Sequence, residues 1–419
     1  MSHVQTVAIV GGGPSGAALA VWLARAGKTV VLFDPGKRPP LIVGESLIPA
    51  IMPFLFDLGI ADEVKSYSKL KPGATFILDK GRTIHSFKFD TVPGAKCTYA
   101  YNVPREKYDA TFRAAAARAG ATVLTHRAQV EAVEGTDKLK LTDETLAAAE
   151  VLAGKQPDWI IDATGRSRKF ARLLGLEADE GPRKDIALFA HCDDVPSLDE
   201  GHVHTEVMDW GWSWRIPLPD RMSVGFVLPA ERASQYGDTD EERFDNILKR
   251  DSIAAKWNVN AKRVTPVVRF NNWSLVARRG VGENWALVGD AFGFVDPVFS
   301  SGMMLALTSA NELAMALTKG DGGMKAMKKY EADQASHVRG WQEAVETFYN
   351  GKLWSILDVG LRMKETTWFG RLVAPHFEAN IPKVFTGEAA RDKHALQLIR
   401  TMCKYGLVDV DVAKFAVHT

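Results

Sequence analysis

The stretch Thr6-Val7-Ala8-Ile9-Val10-Gly11-Gly12-Gly13-Pro14-Ser15-Gly16 decides the fold. Its first five residues are a short β-branched run of the kind that forms a buried strand, and GxGxxG spacing follows at once. Working outward, Ala17 to Ala26 repeats Ala, Leu, Val and Trp at helical spacing, with Arg25 in the last turn and Gly27 as the stop. Lys28 to Phe33 reads as a second strand and ends on Asp34. Strand, glycine turn, helix, strand and terminal acid in register make a βαβ dinucleotide-binding opening. Gly11 permits the tight turn, Gly13 lets the backbone approach a pyrophosphate, and Gly16 lets helix pack on strand. Ser15 lies where the free N–H groups of the helix start face an anion. Asp34 is placed to accept hydrogen bonds from an adenosine ribose.

Two later stretches extend the α/β pattern. Trp159-Ile160-Ile161-Asp162-Ala163-Thr164-Gly165 reads as a strand ending in a DxxG turn, and Trp285-Ala286-Leu287-Val288-Gly289-Asp290 as a strand ending in Gly-Asp. Ser301 to Leu317 reads as a helix after it. Both turns are expected at the carboxyl edge of a parallel sheet, where ligands of open α/β folds bind. An early GxGxxG, a middle DxxG and a late Gly-Asp resemble the FAD-binding domain of the aromatic-hydroxylase superfamily, the glutathione-reductase-type Rossmann flavoproteins. The resemblance implies FAD, with Asp162, Gly165, Gly289 and Asp290 among its contacts. No second GxGxxG follows a strand, because Gly280-Val281-Gly282 lacks the third glycine. Electrons are therefore expected from NAD(P)H visiting transiently or through a partner flavin reductase.

The expected organisation is an FAD-binding domain in three pieces, 1–65, 104–185 and 276–324, with a substrate domain inserted as 66–103 and 186–275. Alternating stretches in the insert, such as Ala74 to Leu78, His202 to Met208 and Met222 to Leu228, predict a mostly antiparallel sheet. The fold class is thus α/β with an α+β insert. The 325–419 region reads as helical, with Trp341, Phe348, Trp354, Leu361, Trp368 and Phe369 spaced for helix packing. Lys319 to Lys329 reads as an exposed connection.

Four motifs narrow the chemistry. They are Gly44-Glu45-Ser46-Leu47-Ile48-Pro49, Lys71-Pro72-Gly73-Ala74-Thr75-Phe76, Trp212-Ser213-Trp214-Arg215-Ile216-Pro217, and Phe294-Val295-Asp296-Pro297-Val298-Phe299-Ser300-Ser301-Gly302. In this order they resemble the GESLxP, KxGAxF, WxWxIP and FxxPxxSxG segments of the flavin-dependent halogenases, phenol and pyrrole branch, and the likeness runs to about residue 320. It implies that reduced FAD, O2 and chloride or bromide yield hypohalous acid, which meets an electron-rich ring, free or carried on a larger molecule. Lys71 supplies a compact cation and donors for that acid. The amides of Ser301 and Gly302 open a helix and offer a halide site, with Pro297 fixing the turn; a plain N-cap role for Ser300 or Ser301 stays open. Glu45 and Ser46 lie beside the flavin, Glu45 acting on it or on the substrate. Trp212, Trp214 and Phe299 wall the substrate. Tyr101-Asn102-Val103-Pro104-Arg105 to Asp109 is similar to the segment whose arginine contacts FAD, and Arg105 can instead pair with Asp109 one turn on.

Departures keep a second reading open. Val43 replaces a histidine frequent in the phenolic branch, and Met303 and Met304 follow the SxG where smaller or polar residues are usual. The alternative is a flavin monooxygenase that hydroxylates an aromatic ring, for example a tryptophan or tyrosine side chain of a peptide during quinone-cofactor maturation. The length of 419 residues leaves little room for the extended part of halogenases acting on free tryptophan, so that substrate is disfavoured.

Composition excludes other classes. With 46% hydrophobic and 25% charged residues the chain is globular rather than disordered. Fifty-two Lys+Arg against 51 Asp+Glu leave a net charge of +1, which offers no field for nucleic acid. Cys97, Cys192 and Cys403 show no paired spacing, so neither a disulfide framework nor a metal site is expected and a reducing cytoplasm fits. The start lacks the basic segment of a signal peptide, and no apolar run is long enough for a membrane span.

Overall fold

The structure, a computed structural model, describes residues 4–92, 95–208, 210–250, 258–272, 274–320, 322–366, 368, 382–387, 397, 400–401 and 412–417. A parallel sheet is ordered Trp285–Leu287, Trp159–Asp162, Thr6–Val10, Thr29–Phe33, Thr122–Leu124. All its strands but Thr122–Leu124, a half-buried edge strand, are buried on both faces, as their continuous apolar runs require. Helix Pro14–Arg25 crosses on one face and packs against Gly302–Thr318 and Arg105–Arg118. Thr6–Val10 sits between a strand from far downstream and the strand that follows it in sequence. Chain direction across the sheet reverses at that point, and the carboxyl ends part to leave a crevice.

A second, eight-stranded sheet runs Lys262–Arg263, Asp185–Asp193, Met222–Pro229, Gly211–Pro217, Val203–Met208, Gly73–Leu78, Thr83–Lys88, with Val268–Asn272 also paired to Asp185–Asp193. It is antiparallel except where Val203–Met208 lies parallel to Gly73–Leu78. Alternation splits Gly211–Pro217 cleanly: Trp212, Trp214 and Ile216 share one face, Ser213 and Arg215 the other. The tryptophan face looks toward the parallel sheet. On the opposite face Phe226 meets Phe244 and Ile247 of helix Asp240–Arg250 in a separate apolar cluster.

Helices Met324–Tyr349 and Lys352–Thr366 follow. The exposed connection expected over Lys319 to Lys329 ends at Met324, where helix begins and soon buries Met327 and Tyr330. Trp341, Phe348 and Trp354 are buried, whereas Trp368 is 77% exposed rather than buried in the core as its spacing suggested. The side chain of Leu361 and the whole of Phe369 lie outside the described residues. Cys97 and Cys192 are buried free thiols. No helix is long and apolar enough to cross a membrane, and no cluster of metal-ligating side chains occurs, among the described residues.

Candidate active site

A cavity of about 1030 Å³ runs from the glycine turn to the tryptophan face of the larger sheet. At the first end the glycines differ in what they do. Gly11 has φ +119°, and a Cβ there would overlap the Ala163 carbonyl. At Gly16 a Cβ would overlap the Gly11 carbonyl, so both are demanded by packing. Gly13 is free of neighbours within 4 Å and opens on the cavity, with Gly11, Pro14 and Ser15 beside it. Helix Pro14–Arg25 has no side-chain cap, so its first N–H groups face this space unspent. A cradle that Cβ atoms would fill, at a positive helix end, suits a diphosphate.

Two residues expected at the nucleotide are engaged elsewhere. The Asp34 carboxylate is buried outside the cavity lining, bound by both Arg38 terminal nitrogens, by Gly36 N at 3.0 Å and with Arg113 Nε at 3.3 Å. Lys37 and Arg38 line the cavity instead. Asp162 accepts from Thr164 N, Thr164 Oγ1 and Phe170 N, and burial raises its pKa. It holds the DxxG turn in shape, while Ala163, Thr164, Gly165 and Arg166 face the cavity. Gly289, left-handed at φ +61°, packs behind Ser15, and only Asp290 of that pair reaches the lining. Burial pushes the Asp290 carboxyl up to about 6 against the pull of Arg166 and Arg105.

In the middle, Arg105 does make the pair that its spacing allows: Nε lies 3.0 Å from Asp109 Oδ1 and NH2 3.2 Å from Oδ2. It also donates to the Val43 carbonyl and lines the cavity, pinning the loop before Gly44. Glu45 and Ser46 project from that loop. Glu45 Oε1 lies 2.8 Å from His191 Nε2, both buried. Lys71 Nζ donates to Ser46 Oγ at 2.7 Å and Leu47 O at 2.9 Å, 5.5 Å from the Phe89 ring centre. Burial lowers its pKa from 10.5 to about 7.

At the far end Trp212 and Trp214, ring centres 5.6 Å apart, line the cavity with Phe189, Thr205 and Phe270. Phe299 does not; it packs into an aromatic cluster with Trp341, Phe348 and Phe385. Pro297, Ser300, Gly302 and Met303 line the cavity. Ser300 is left-handed at φ +57°, and Gly302 opens helix Gly302–Thr318. The Ser301 side chain makes no cap bond, and its buried Oγ has no hydrogen-bond partner.

Sequence reading missed Tyr349. Trp212 Nε1 donates to its hydroxyl at 2.9 Å, and the hydroxyl donates to Asp296 Oδ2 at 2.7 Å. A residue of the helical region thus ties the tryptophan wall to the Pro297 turn. Tyr349→Phe takes the acceptor from a buried indole and a donor from Asp296, so an unfolding midpoint shift worth about 2 kcal/mol is expected in urea; an unchanged midpoint would remove the tie. His191 was missed too. Its one signal was weak, the alternation that puts it on the face of Phe189.

The tryptophan halogenase family model matches residues 6–93 and 74–354. A 1H-pyrrole-2-carbonyl-[peptidyl-carrier protein] chlorinase of Pseudomonas fluorescens is 26% identical over 387 residues, 83% of this chain and 84% of that protein. A tryptophan 2-halogenase of Chondromyces crocatus is 28% identical over 373 residues, 82% of this chain and 67% of that one. The solved structure of a flavin-dependent brominase superposes with TM-score 0.77 at 19% identity, covering 96% of this chain and 98% of the other. At that identity it speaks for the fold.

Proposed function

Since the chain belongs to the tryptophan halogenase family of flavin-dependent enzymes, we propose that it is an FAD-dependent halogenase of an electron-rich aromatic substrate of phenol, pyrrole or indole type. The observation that carries this reading is Lys71, buried just outside the lining of the cavity and donating to Ser46, which lines that cavity together with Trp212 and Trp214. The residues present fit FAD. Gly11, Gly13 and Ser15 would hold its diphosphate, Lys37 and Arg38 the outer nucleotide, and Glu45, Arg105, Gly165 and Asp290 the remainder. FAD, when bound and reduced, supplies with O2 the oxidation of halide to hypohalous acid.

The protein groups then divide the work. The helix start at Ser301 and Gly302 presents amides to a halide, while the Ser300 amide is spent on the Pro297 carbonyl. Trp212 and Trp214 keep water and substrate apart from the flavin. Lys71 spends two donors on Ser46 and Leu47, keeps a third, and from one layer behind Ser46 is assigned to hold hypohalous acid by charge and hydrogen bond. The aromatic carbon takes the halogen and loses its proton, leaving water from the acid's oxygen. A free ring or one on a carrier or peptide fits equally. Electrons come from NAD(P)H, directly or through a flavin reductase, and the enzyme works in the cytoplasm.

Bromide soaked into crystals of the FAD complex should give an anomalous peak at the Ser301 and Gly302 amides, and ring bromination should require bromide. An empty site together with halide-independent ring oxygenation would replace halogenation by hydroxylation.

A further inference from the structure

A carboxylate walled into a cavity exchanges protons only if a path leads out. Glu45 is 4% exposed and lines the large cavity. His191 stands behind it on Asp185–Asp193, two residues after Phe189, whose ring faces the same cavity. The imidazole is 11% exposed, with Nε2 at 2.8 Å from the carboxylate. Its backbone is clamped from the Lys262–Arg263 side: His191 N donates to Thr265 Oγ1 at 2.9 Å, and its carbonyl accepts from Val264 N at 2.9 Å.

The two residues that follow His191 on its strand, Cys192 and Asp193, line a second, charged groove of about 540 Å³ together with Asp220 and Arg221. Strand register sets His191 opposite Ser223, two residues from Arg221. Arg221 is ion-paired with Asp220 at 2.6 Å and is more than a third exposed on its side chain. Charge coupling follows the same line: the Asp220 pair with Arg221 dominates, His191 acts on Asp220, and Glu45 and Asp193 act on Arg221. Arg105, on the cavity side, also feels Glu45. Glu45 thus touches the cavity, His191 touches Glu45, and the residues next to His191 on its strand share the groove with Asp220 and Arg221.

We propose that Glu45 and His191 form a proton relay between the cavity and the solvent groove. A proton on Glu45 passes to His191 Nε2 as the proton on Nδ1 leaves outward, and the reverse sequence admits one; no electrons move. The need for it rests on the FAD reading above, since flavin reduction takes up protons and ring substitution releases one. The geometry stands without that reading.

Two measurements decide it. In the FAD-loaded protein, proton uptake on photoreduction is followed with an indicator dye. His191→Ala and His191→Gln should both slow uptake roughly 100-fold with FAD affinity unchanged, and added imidazole should restore the alanine variant alone. Wild-type rates in both variants, or in His191→Gln, which keeps a donor for Glu45, would overturn the relay. In the FAD-free protein, the His191 ring nitrogens are followed by nitrogen NMR at fixed pH. Glu45→Gln should move the Nε2 resonance, and an unmoved resonance overturns the contact. Failure of the wild type to bind FAD would sink the proposed function and leave this second measurement to judge the pair.

Discussion

Lys71→Met is expected to lower product formation by roughly 10²–10³-fold, the scale of losing one preorganised charged donor, while FAD affinity stays as in the wild type. The same change is expected to stabilise the fold. In the folded chain Lys71 gives up its proton near pH 7, and in the unfolded chain it holds the proton to 10.5. The unfolded state therefore binds more protons between these values, and this lysine lets stability rise with pH across that window. Below pH 7 both states are protonated and the full burial cost applies, roughly 5 kcal/mol for the gap. The gain from Lys71→Met should be large at pH 6 and small at pH 10, read as denaturation midpoints. Equal gains at both pH values would contradict the lowered pKa. If the ammonium form holds hypohalous acid, turnover falls as pH rises through about 7; a turnover that rises there would assign the role to the neutral amine. Product formation at the wild-type rate would remove Lys71 from the mechanism.

Gly11→Ala and Gly13→Ala should separate folding from nucleotide binding. At Gly11 the methyl meets the Ala163 carbonyl on a backbone with φ +119°, so two costs add and destabilisation of about 3–4 kcal/mol is expected. At Gly13 nothing lies within 4 Å, so thermal stability without FAD should be unchanged. Yet that methyl points at the diphosphate place and should weaken FAD at least about 100-fold, the worth of two or more lost charge-assisted bonds. Tight FAD binding by Gly13→Ala would move the diphosphate away from the turn.

These contrasts mark what the sequence makes legible. Local contacts read well. Strand, turn and helix from Thr6 to Arg25 follow from neighbouring residues, and so does the helix that starts at Gly302, because periodicity and glycine placement act over a few residues. The alternation in Gly211–Pro217 gives the shared face of Trp212 and Trp214 for the same reason.

Distant partners read poorly. Arg38 is four residues from Asp34, but Arg113, its second neighbour, lies far along the chain on helix Arg105–Arg118. Glu45 with His191 and Trp212 with Tyr349 join segments more than a hundred residues apart, and no spacing rule reaches that far. Phe299 sits in a recognisable motif, yet its direction is set by Trp341, Phe348 and Phe385, which no motif announces.

The strand order of the parallel sheet also bears on how the chain is made. Thr6–Val10 leaves the ribosome first but waits for Trp159–Asp162 to cover one edge, and that strand waits in turn for Trp285–Leu287. Until then each growing sheet ends in a bare row of backbone donors and acceptors beside β-branched residues, a template for wrong pairing. Loop closure over such separations is slow. Synthesis speed between residues 162 and 285 thus sets how long that template stands open, which makes yield on expression a matter of pace as much as of final stability.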